Sequence, residues 1–480
     1  MKSLENKNVA ILGFGVEGVA LAEFLVGRVH SLTVRDKTTV SDIVSKADKS
    51  IQEKAAGLLA DSRIKFVGGE NYLDGLAGYD VIFRSPGIYF DDPEILLAKA
   101  RGVTISSQIQ LFFDLCPCKI IGVTGTKGKG TTASLISEIL TKHFLIKEDG
   151  AMPKVYLAGN IGVPAISFVD DLSAEDVVVL ELSNFQLADL QRSPHIAVVT
   201  NLGIDHLDYH QSLAEYIEAK TGIVRYQNEI DFAVLNQNST FSGQLLGQIK
   251  SKIKYFSKAD EDADVIVRNN GSIGVVIVRT VFDEDFVVCT SDEIRLVGRH
   301  NLENIAAAAL ATGLFGVSKK AIREGVLEFQ GLPYRLELVD EIKGVRFIND
   351  SFATNPGPTI AAILSFTEDK ILILGGSEKG ADFREMAEII SQNKVKAVVL
   401  IGTEGPRIRM ALEGAGFEGK IVFGGSDMDE ILKKAAMHAD PGDIVILSPA
   451  CASFDMFKNY KDRGEKFNNA ISKLKIQKDI

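Results

Sequence analysis

One stretch constrains this chain more than any other. Lys119-Ile120-Ile121-Gly122-Val123-Thr124 runs directly into Gly125-Thr126-Lys127-Gly128-Lys129-Gly130-Thr131-Thr132. The first six residues read as a buried strand, and the helix pattern that follows puts Leu135, Ile136, Ile139 and Leu140 on one face. Between strand and helix, the glycines let the backbone curl so that its N–H groups turn inward toward a phosphate chain. Lys129 can reach the β- and γ-phosphates from the end of the loop, and the helix N-terminus favours negative charge. The spacing departs from the strict G-x-x-x-x-G-K-[ST] form, because Val123 stands five residues before Gly128 and Gly130 follows Lys129. The strand–loop–helix context nonetheless predicts an ATP site.

A length of 480 residues corresponds to about three domains, each large enough for its own core. The hydrophobic content of 46% and charged content of 24% are those of a soluble globular protein. A net charge of −11 argues against a nucleic-acid or membrane-surface binder, so anionic substrates would need local basic patches. Cys116, Cys118, Cys289 and Cys451 are too few and too scattered for a disulfide framework or a zinc site. Cys116-Pro117-Cys118 lacks the two-residue spacer of a redox or zinc pair, and these are expected to be plain thiols. The polar start is not a signal peptide, and no apolar run reaches about 18 residues, so a cytoplasmic location is expected.

Taken in order, residues 1–107 are expected to form a first domain. Val9-Ala10-Ile11-Leu12 runs into Gly13-Phe14-Gly15-Val16-Glu17-Gly18 and an apolar helix, then a strand ending at Arg35-Asp36-Lys37. This G-x-G-x-x-G in strand–turn–helix context suits a nucleotide diphosphate on a helix N-terminus, without distinguishing NAD from another nucleotide. Val81-Ile82-Phe83 closes on Arg84-Ser85-Pro86-Gly87 at the same sheet edge. The second domain, 108–330, opens with the ATP loop. Its all-apolar strand Val177–Leu180 delivers Glu181 and Ser183 to one end, and Ile196–Val199 delivers Thr200 and Asn201, followed by His206. A carboxylate and a histidine beside a phosphate loop suit Mg²⁺. From Val265 to Val288 the alternation suggests peripheral hairpins. Asn301, before an alanine-rich helix over 305–312, could be an N-cap. Gly331-Leu332-Pro333 links to a third domain, 331–480, whose strands alternate with helical patterns as in a doubly wound α/β fold.

Together these motifs resemble the Mur ligases over nearly the whole chain, and within that family the D-glutamate-adding branch. The resemblance rests on Thr124–Lys129, Gly159-Asn160-Ile161-Gly162, Glu181-Leu182-Ser183-Asn184-Phe185-Gln186-Leu187, Asp205-His206-Leu207-Asp208 and Ala219-Lys220. It continues through Gly298-Arg299-His300-Asn301 with Asn304, Gly331–Arg335, Asn349–Asn355 and Leu374-Gly375-Gly376 through Lys379. The run Ser448-Pro449-Ala450-Cys451-Ala452-Ser453-Phe454-Asp455, with Phe457-Lys458-Asn459-Tyr460 behind it, marks the glutamate-adding branch.

The resemblance implies a Rossmann-like first domain, a P-loop ATPase-like central domain and a Rossmann-like third domain. It implies an ATP-dependent ligase acting on UDP-N-acetylmuramoyl-L-alanine and D-glutamate, as a monomer, with ATP and Mg²⁺. ATP would lie on Gly125, Thr126, Lys127, Gly128, Lys129, Gly130, Thr131 and Thr132, with Asn301, Asn304, Arg335 and Asp350. Glu181, His206, Lys220 as a carbamate, and Thr131 would hold the metal. Gly15, Val16, Glu17, Asp36, Lys37, Gly87 and Asn160 would meet the UDP-sugar; Thr354, Lys379, Ser453, Phe454 and Tyr460 would meet D-glutamate. Three positions depart from the family pattern. Gly130 replaces Ser or Thr, as in folylpolyglutamate synthases; Phe352 replaces a lysine; Tyr460 replaces a phenylalanine. A folylpolyglutamate synthase-like ligase is the competing enzyme, but lacks the UDP-type first domain and the Ser448–Asp455 run. A nicotinamide dehydrogenase would leave the Lys129 loop unexplained. A non-catalytic nucleotide binder would leave Glu181, His206 and Lys220 unexplained.

Overall fold

Short runs of Val, Ile and Leu with no polar interruption need cover on both faces, and they assemble here into parallel sheets flanked by helices. The structure, a computed structural model, describes residues 4–40, 42, 49–146, 152–203, 212–239, 242–258, 260–270, 273–378 and 380–478. His206 and Lys379 therefore lie outside the described residues. The first sheet contains β1 (Asn8–Leu12), β2 (Ser31–Asp36), β3 (Ile64–Gly68), β4 (Val81–Arg84) and β5 (Thr104–Ser106). Their order is β3-β2-β1-β4-β5, all parallel. The turn after β1 therefore opens where strand order reverses, the usual place for a ligand in such sheets.

The second sheet contains β6 (Lys119–Thr124), β7 (Val155–Gly159), β8 (Val177–Glu181), β9 (Ile196–Val199) and β10 (Phe232–Asn236). Four more strands, β11 (Lys252–Ser257), β12 (Val265–Asn270), β13 (Ile273–Val278) and β14 (Phe286–Thr290), complete it. Their order is β14-β13-β12-β11-β10-β9-β6-β8-β7. The β6 strand pairs in parallel with β8 on one side and β9 on the other, so Thr124, Glu181 and Thr200 emerge at one edge. The hairpins expected over 265–288 are present as β12, β13 and β14, antiparallel at the sheet margin.

The third sheet contains β15 (Glu337–Ile342), β16 (Val345–Asn349), β17 (Lys370–Gly375), β18 (Val395–Ile401), β19 (Lys420–Phe423) and β20 (Ile444–Leu447). Their order is β15-β16-β20-β17-β18-β19, with only β15 antiparallel among the paired strands.

The chain divides into two compact units, 1–291 with 302–327, and 292–301 with 328–480. The first unit holds two sheets, and one buried cluster reaches both: Val9, Ile11 and Phe112 belong to it together with Ile166, Phe168 and Val178, while Leu12, Ile82 and Ile95 form a second cluster against the first sheet. The second unit packs its sheet between two buried clusters, one around Phe347 and Ile431, the other around Leu372 and Met386.

Candidate functional site

Two glycines in the loop after β6 are demanded by geometry. Gly125 has φ +149°, and a Cβ there would lie 2.1 Å from Thr200 Oγ1; at Gly128, φ +85°, it would lie 2.3 Å from Asn304 Oδ1. Either added carbon would occupy space the loop needs to fold back on β9 and on the helix His300–Phe315. The loop is pinned from several sides. The Thr126 N–H donates to Asn201 O at 2.5 Å, the Thr200 hydroxyl donates to Lys127 O at 2.6 Å, and the Thr126 hydroxyl meets Tyr216 OH at 2.9 Å. Lys129 opens the helix Lys129–Ile146. Its Nζ donates to Gly125 O at 3.0 Å and Thr126 O at 3.2 Å. Lys220, on the helix Leu213–Arg225, is 1% exposed, and its Nζ also donates to Gly125 O at 3.0 Å. Two ammonium groups from different helices thus converge on one loop carbonyl. Gly130 and Thr132 are buried in the first helical turn, and the Thr132 hydroxyl donates to Asn304 Oδ1 at 3.4 Å.

Glu181 lies at the end of β8, 3% exposed. The Asn160 amide donates to its Oε2 at 3.4 Å, and a Cβ on Gly159 would meet its backbone oxygen at 2.1 Å. Thr124, Glu181 and Thr200 therefore share the edge that carries the phosphate loop. The Glu181 carboxylate and the hydroxyl of Thr131, in the first turn of the helix Lys129–Ile146, are hard oxygen donors, the kind Mg²⁺ takes alongside phosphate oxygens. Among the described residues no group of three or more His, Cys, Asp or Glu side chains that could hold a metal ion is present.

In the first Gly-rich turn, Gly13 has φ +89°, and a Cβ on Gly18 would lie 2.0 Å from Gly13 O, so these two glycines serve close helix–strand packing. Gly15 and Gly87 have open space beside them, and Val16 is half exposed at the start of the helix Val16–Leu25. Asp36 is engaged locally. Its Oδ2 accepts from Phe14 N–H at 2.6 Å, and its Oδ1 accepts from the N–H and hydroxyl of Thr38. Lys37 makes an exposed pair with Glu70 at 3.5 Å, worth little in water. Glu17 faces Gln186, whose amide donates to its Oε1 at 2.6 Å. Burial pushes the Glu17 carboxyl up, and Gln186 and the Arg84 charge pull it partly back. Arg84, almost fully buried, donates to Asp189 Oδ2 at 2.8 and 3.0 Å and to Ile88 O. Gln186 also completes a capping box with Ser183. Neither Arg84 nor Gln186 is legible as a site residue in the sequence, because nothing in their spacing announces a partner 105 residues away for Arg84 or 169 for Gln186.

In the second unit a cavity of about 480 Å³ is lined by Thr354, Asn355, Ser377, Phe383, Glu404 and Cys451, among others. Among the described residues, Ser377 Oγ is buried there without a hydrogen-bond partner. Glu404 is held by Arg407 at 2.9 Å to both oxygens. Two loops of this unit are tied together by Arg463, fully buried, which donates to Ser351 Oγ at 3.0 Å, Ser351 O at 2.9 Å and Cys451 O at 3.1 Å. Burial pulls that guanidinium down to about 10. Sequence reasoning missed Arg463, which follows the branch-specific run. Of the residues expected to meet D-glutamate, Thr354 lines the cavity, Ser453 is buried beside its loop, and Phe454 is exposed. Tyr460 packs edge-on to Phe352, ring centroids 5.1 Å apart, and Arg335 lies over the Phe352 ring at 3.8 Å. Asp350 accepts from the Ser448 hydroxyl at 2.7 Å and Leu336 N–H at 3.2 Å, yet burial raises its carboxyl to about 7. Asn301 is not an N-cap: the helix begins at His300, and the Asn301 amide donates back to Val297 O at 2.7 Å.

Family models match in chain order. The Mur ligase MurD-like N-terminal domain covers residues 7–107, the Mur ligase middle domain 123–312, and the Mur ligase glutamate ligase domain 334–451. The UDP-N-acetylmuramoylalanine–D-glutamate ligase of Acetivibrio thermocellus is 39% identical over 482 residues, 98% of each chain. The enzyme of the same name from Symbiobacterium thermophilum is 40% identical over 471 residues, again 98% of each. Among solved structures, UDP-N-acetylmuramate-alanine ligase MurC from Thermotoga maritima superposes with a TM-score of 0.59 at 18% identity, over 98% of this chain and 100% of that one. MurF ligase from the same organism, in complex with ADP, gives 0.56 at 19% identity, over 98% and 96%. These two show a shared three-domain α/β fold. With three family models in register and relatives this similar from end to end, the chain belongs to the Mur ligase family.

Proposed function

We propose that this protein joins D-glutamate to the free carboxylate of UDP-N-acetylmuramoyl-L-alanine, an ATP-dependent amide ligation in peptidoglycan precursor synthesis. Relatives about two-fifths identical over 98% of their length bear that activity in their name. The observation that carries the reading is the phosphate loop, whose Gly125 and Gly128 admit no side chain and whose carbonyls gather Lys129 and Lys220. The substrate carboxylate attacks the γ-phosphate of ATP, ADP leaves, and the nitrogen of D-glutamate displaces phosphate from the acyl phosphate. Phosphoryl transfer asks little acid–base work of a protein; positioning and charge neutralisation dominate. Lys129 would exchange its loop carbonyl acceptors for the β- and γ-phosphate oxygens, while the loop N–H groups orient the chain of phosphates.

Thr131, Glu181, His206 and Lys220 would hold Mg²⁺, which supplies neutralisation of phosphate charge when bound. For Lys220 this requires a carbamate, since an ammonium repels the ion. Asn304 stands against Gly128 beside the loop, and Asn301, Arg335 and Asp350 keep the ATP assignments that family membership implies. The open positions at Gly15, Val16 and Gly87 suit the UDP diphosphate on a helix N-terminus. The cavity at Thr354 and Ser377 suits a small diacid, with Ser377 Oγ as an available donor. We also read the chain as a cytoplasmic monomer cut into substrate, ATP and amino-acid domains at 1–107, 108–330 and 331–480. No described helix is long and apolar enough to cross a membrane.

Phosphate release tests the assignment. It should require ATP, the UDP-sugar acid and D-glutamate together, with ADP as the nucleotide product and no turnover with L-glutamate. Turnover of a folate with L-glutamate, or pyrophosphate as product, would overturn it.

A further inference from the structure

Cys116 and Cys118 are not independent thiols in the folded chain. Cys116 ends the helix Gln108–Leu115, its N–H donating to Phe112 O at 2.8 Å. Cys118 directly precedes β6, whose first residue Lys119 is already in register with Val177. Pro117 between them has a fixed φ and no N–H, so the bend is set on both sides by rigid structure. The result places Cys116 Sγ 3.5 Å from Cys118 Sγ, with Cys116 Sγ also 3.6 Å from Cys118 O. Both are half-buried, so solvent reaches them; Cys289 and Cys451 are buried.

We propose that Cys116 and Cys118 form a redox-active dithiol that closes to an intramolecular disulfide by exchange with low-molecular-weight disulfides. The inference is independent of the ligase assignment. The two sulfurs are not equivalent. The hydrogen bond between the two sulfurs holds the Cys116 thiol below its ordinary value, and the same bond together with burial raises Cys118. Cys116 is therefore the attacking sulfur and Cys118 the resolving one. In the first step the Cys116 thiolate attacks a disulfide RSSR, forming a Cys116–SR bond and expelling RS⁻. In the second, Cys118 gives its proton to that RS⁻ and attacks Cys116 Sγ, expelling the second RS⁻, which takes a proton from water. Two protein thiols are oxidised and one RSSR is reduced to two RSH.

The test uses the full-length native protein with oxidised glutathione, followed by thiol counting and peptide mass mapping. Wild type should lose two of its four thiols, with the peptide spanning 116–118 lighter by two hydrogens and carrying no glutathione. Dithiothreitol should restore both thiols. Cys118→Ser should stop at a glutathione adduct on Cys116, and Cys116→Ser should react about tenfold more slowly than wild type. A stable adduct on wild type, a Cys116→Ser variant as fast as wild type, or unchanged thiols where a denatured sample reacts would each overturn the proposal.

Discussion

Phe352 stands where the family motif carries lysine, and the structure shows what the ring does instead. Arg335 stacks on its face at 3.8 Å while Tyr460 packs against it edge-on. The sequence suggests that Phe352→Lys would change turnover little, because other cations are available. The stacking predicts otherwise, since the lysine would remove a cation–π contact of about 0.5–1 kcal/mol and set a like charge against Arg335. Phe352→Lys should therefore lower kcat/KM for ATP by about two- to fivefold or more, and Phe352→Tyr should stay close to wild type. Equal values for the lysine variant and wild type would discard the stacking role. Asp350 gives a second prediction. Its folded carboxyl titrates at about 7, against about 3.9 for an unfolded aspartate. The native state thus binds more protons than the unfolded chain between those values, so this group's contribution is fully present below about pH 4 and is lost as pH rises to 7. The full difference corresponds to roughly 4 kcal/mol. Asp350→Asn removes the titration at nearly constant shape. Its melting temperature relative to wild type should climb from pH 4 to about pH 7 and then level off; parallel melting curves would contradict the assignment.

The helix Leu213–Arg225 starts from Ser212, whose hydroxyl accepts from the Glu215 N–H at 3.2 Å. That cap sets which side chains face the phosphate loop: Tyr216 reaches the Thr126 hydroxyl, and Lys220, one turn on, reaches Gly125 O. The same lysine can act as a cationic strut under the loop or, carbamylated, as an oxygen ligand for Mg²⁺, and the two roles separate in one experiment. Lys220→Ala should lose most activity while still folding and binding the UDP-sugar. Added acetate or formate should recover part of that activity by placing an oxygen anion in the vacated space. Activity near wild type in the alanine variant, or failure of every small acid to rescue it, would reject the ligand role. The alternating β12–β14 segment illustrates what is legible at this scale: a period-two pattern is local, so the hairpins could be expected from sequence. Strands β3 and β5 carried no such signal, since Lys65 interrupts the apolar run of β3 and β5 has only three residues, and they exist because neighbouring strands offer them a ladder.

Across the whole molecule, the pair of buried Arg84 and partly buried Asp189 joins the first sheet's edge to the second sheet's surroundings within one compact unit. Removing one partner leaves the other poorly compensated, so Arg84→Met should destabilise that unit by about 3 kcal/mol. Hydrogen exchange should accelerate in β1 and β6 together, because one buried cluster reaches both sheets. Acceleration confined to β1 would show that the two sheets open separately. The sequence by itself determined the α/β class, the phosphate loop and the family, because each is written in short-range chemistry: apolar strand runs, glycines at fixed offsets, a lysine on a helix N-terminus. Only the tertiary structure decided that Glu17 meets Gln186, that Asp36 is taken up by Phe14 and Thr38, and that Asp350 is buried enough to hold a proton near neutrality. Nor did sequence show that two cysteines one residue apart share a contact, or that Phe352 lies under Arg335. Most of these pairings link residues well separated along the chain, where spacing has no period to read. All of them depend on which atoms lose water together, and that is settled by packing.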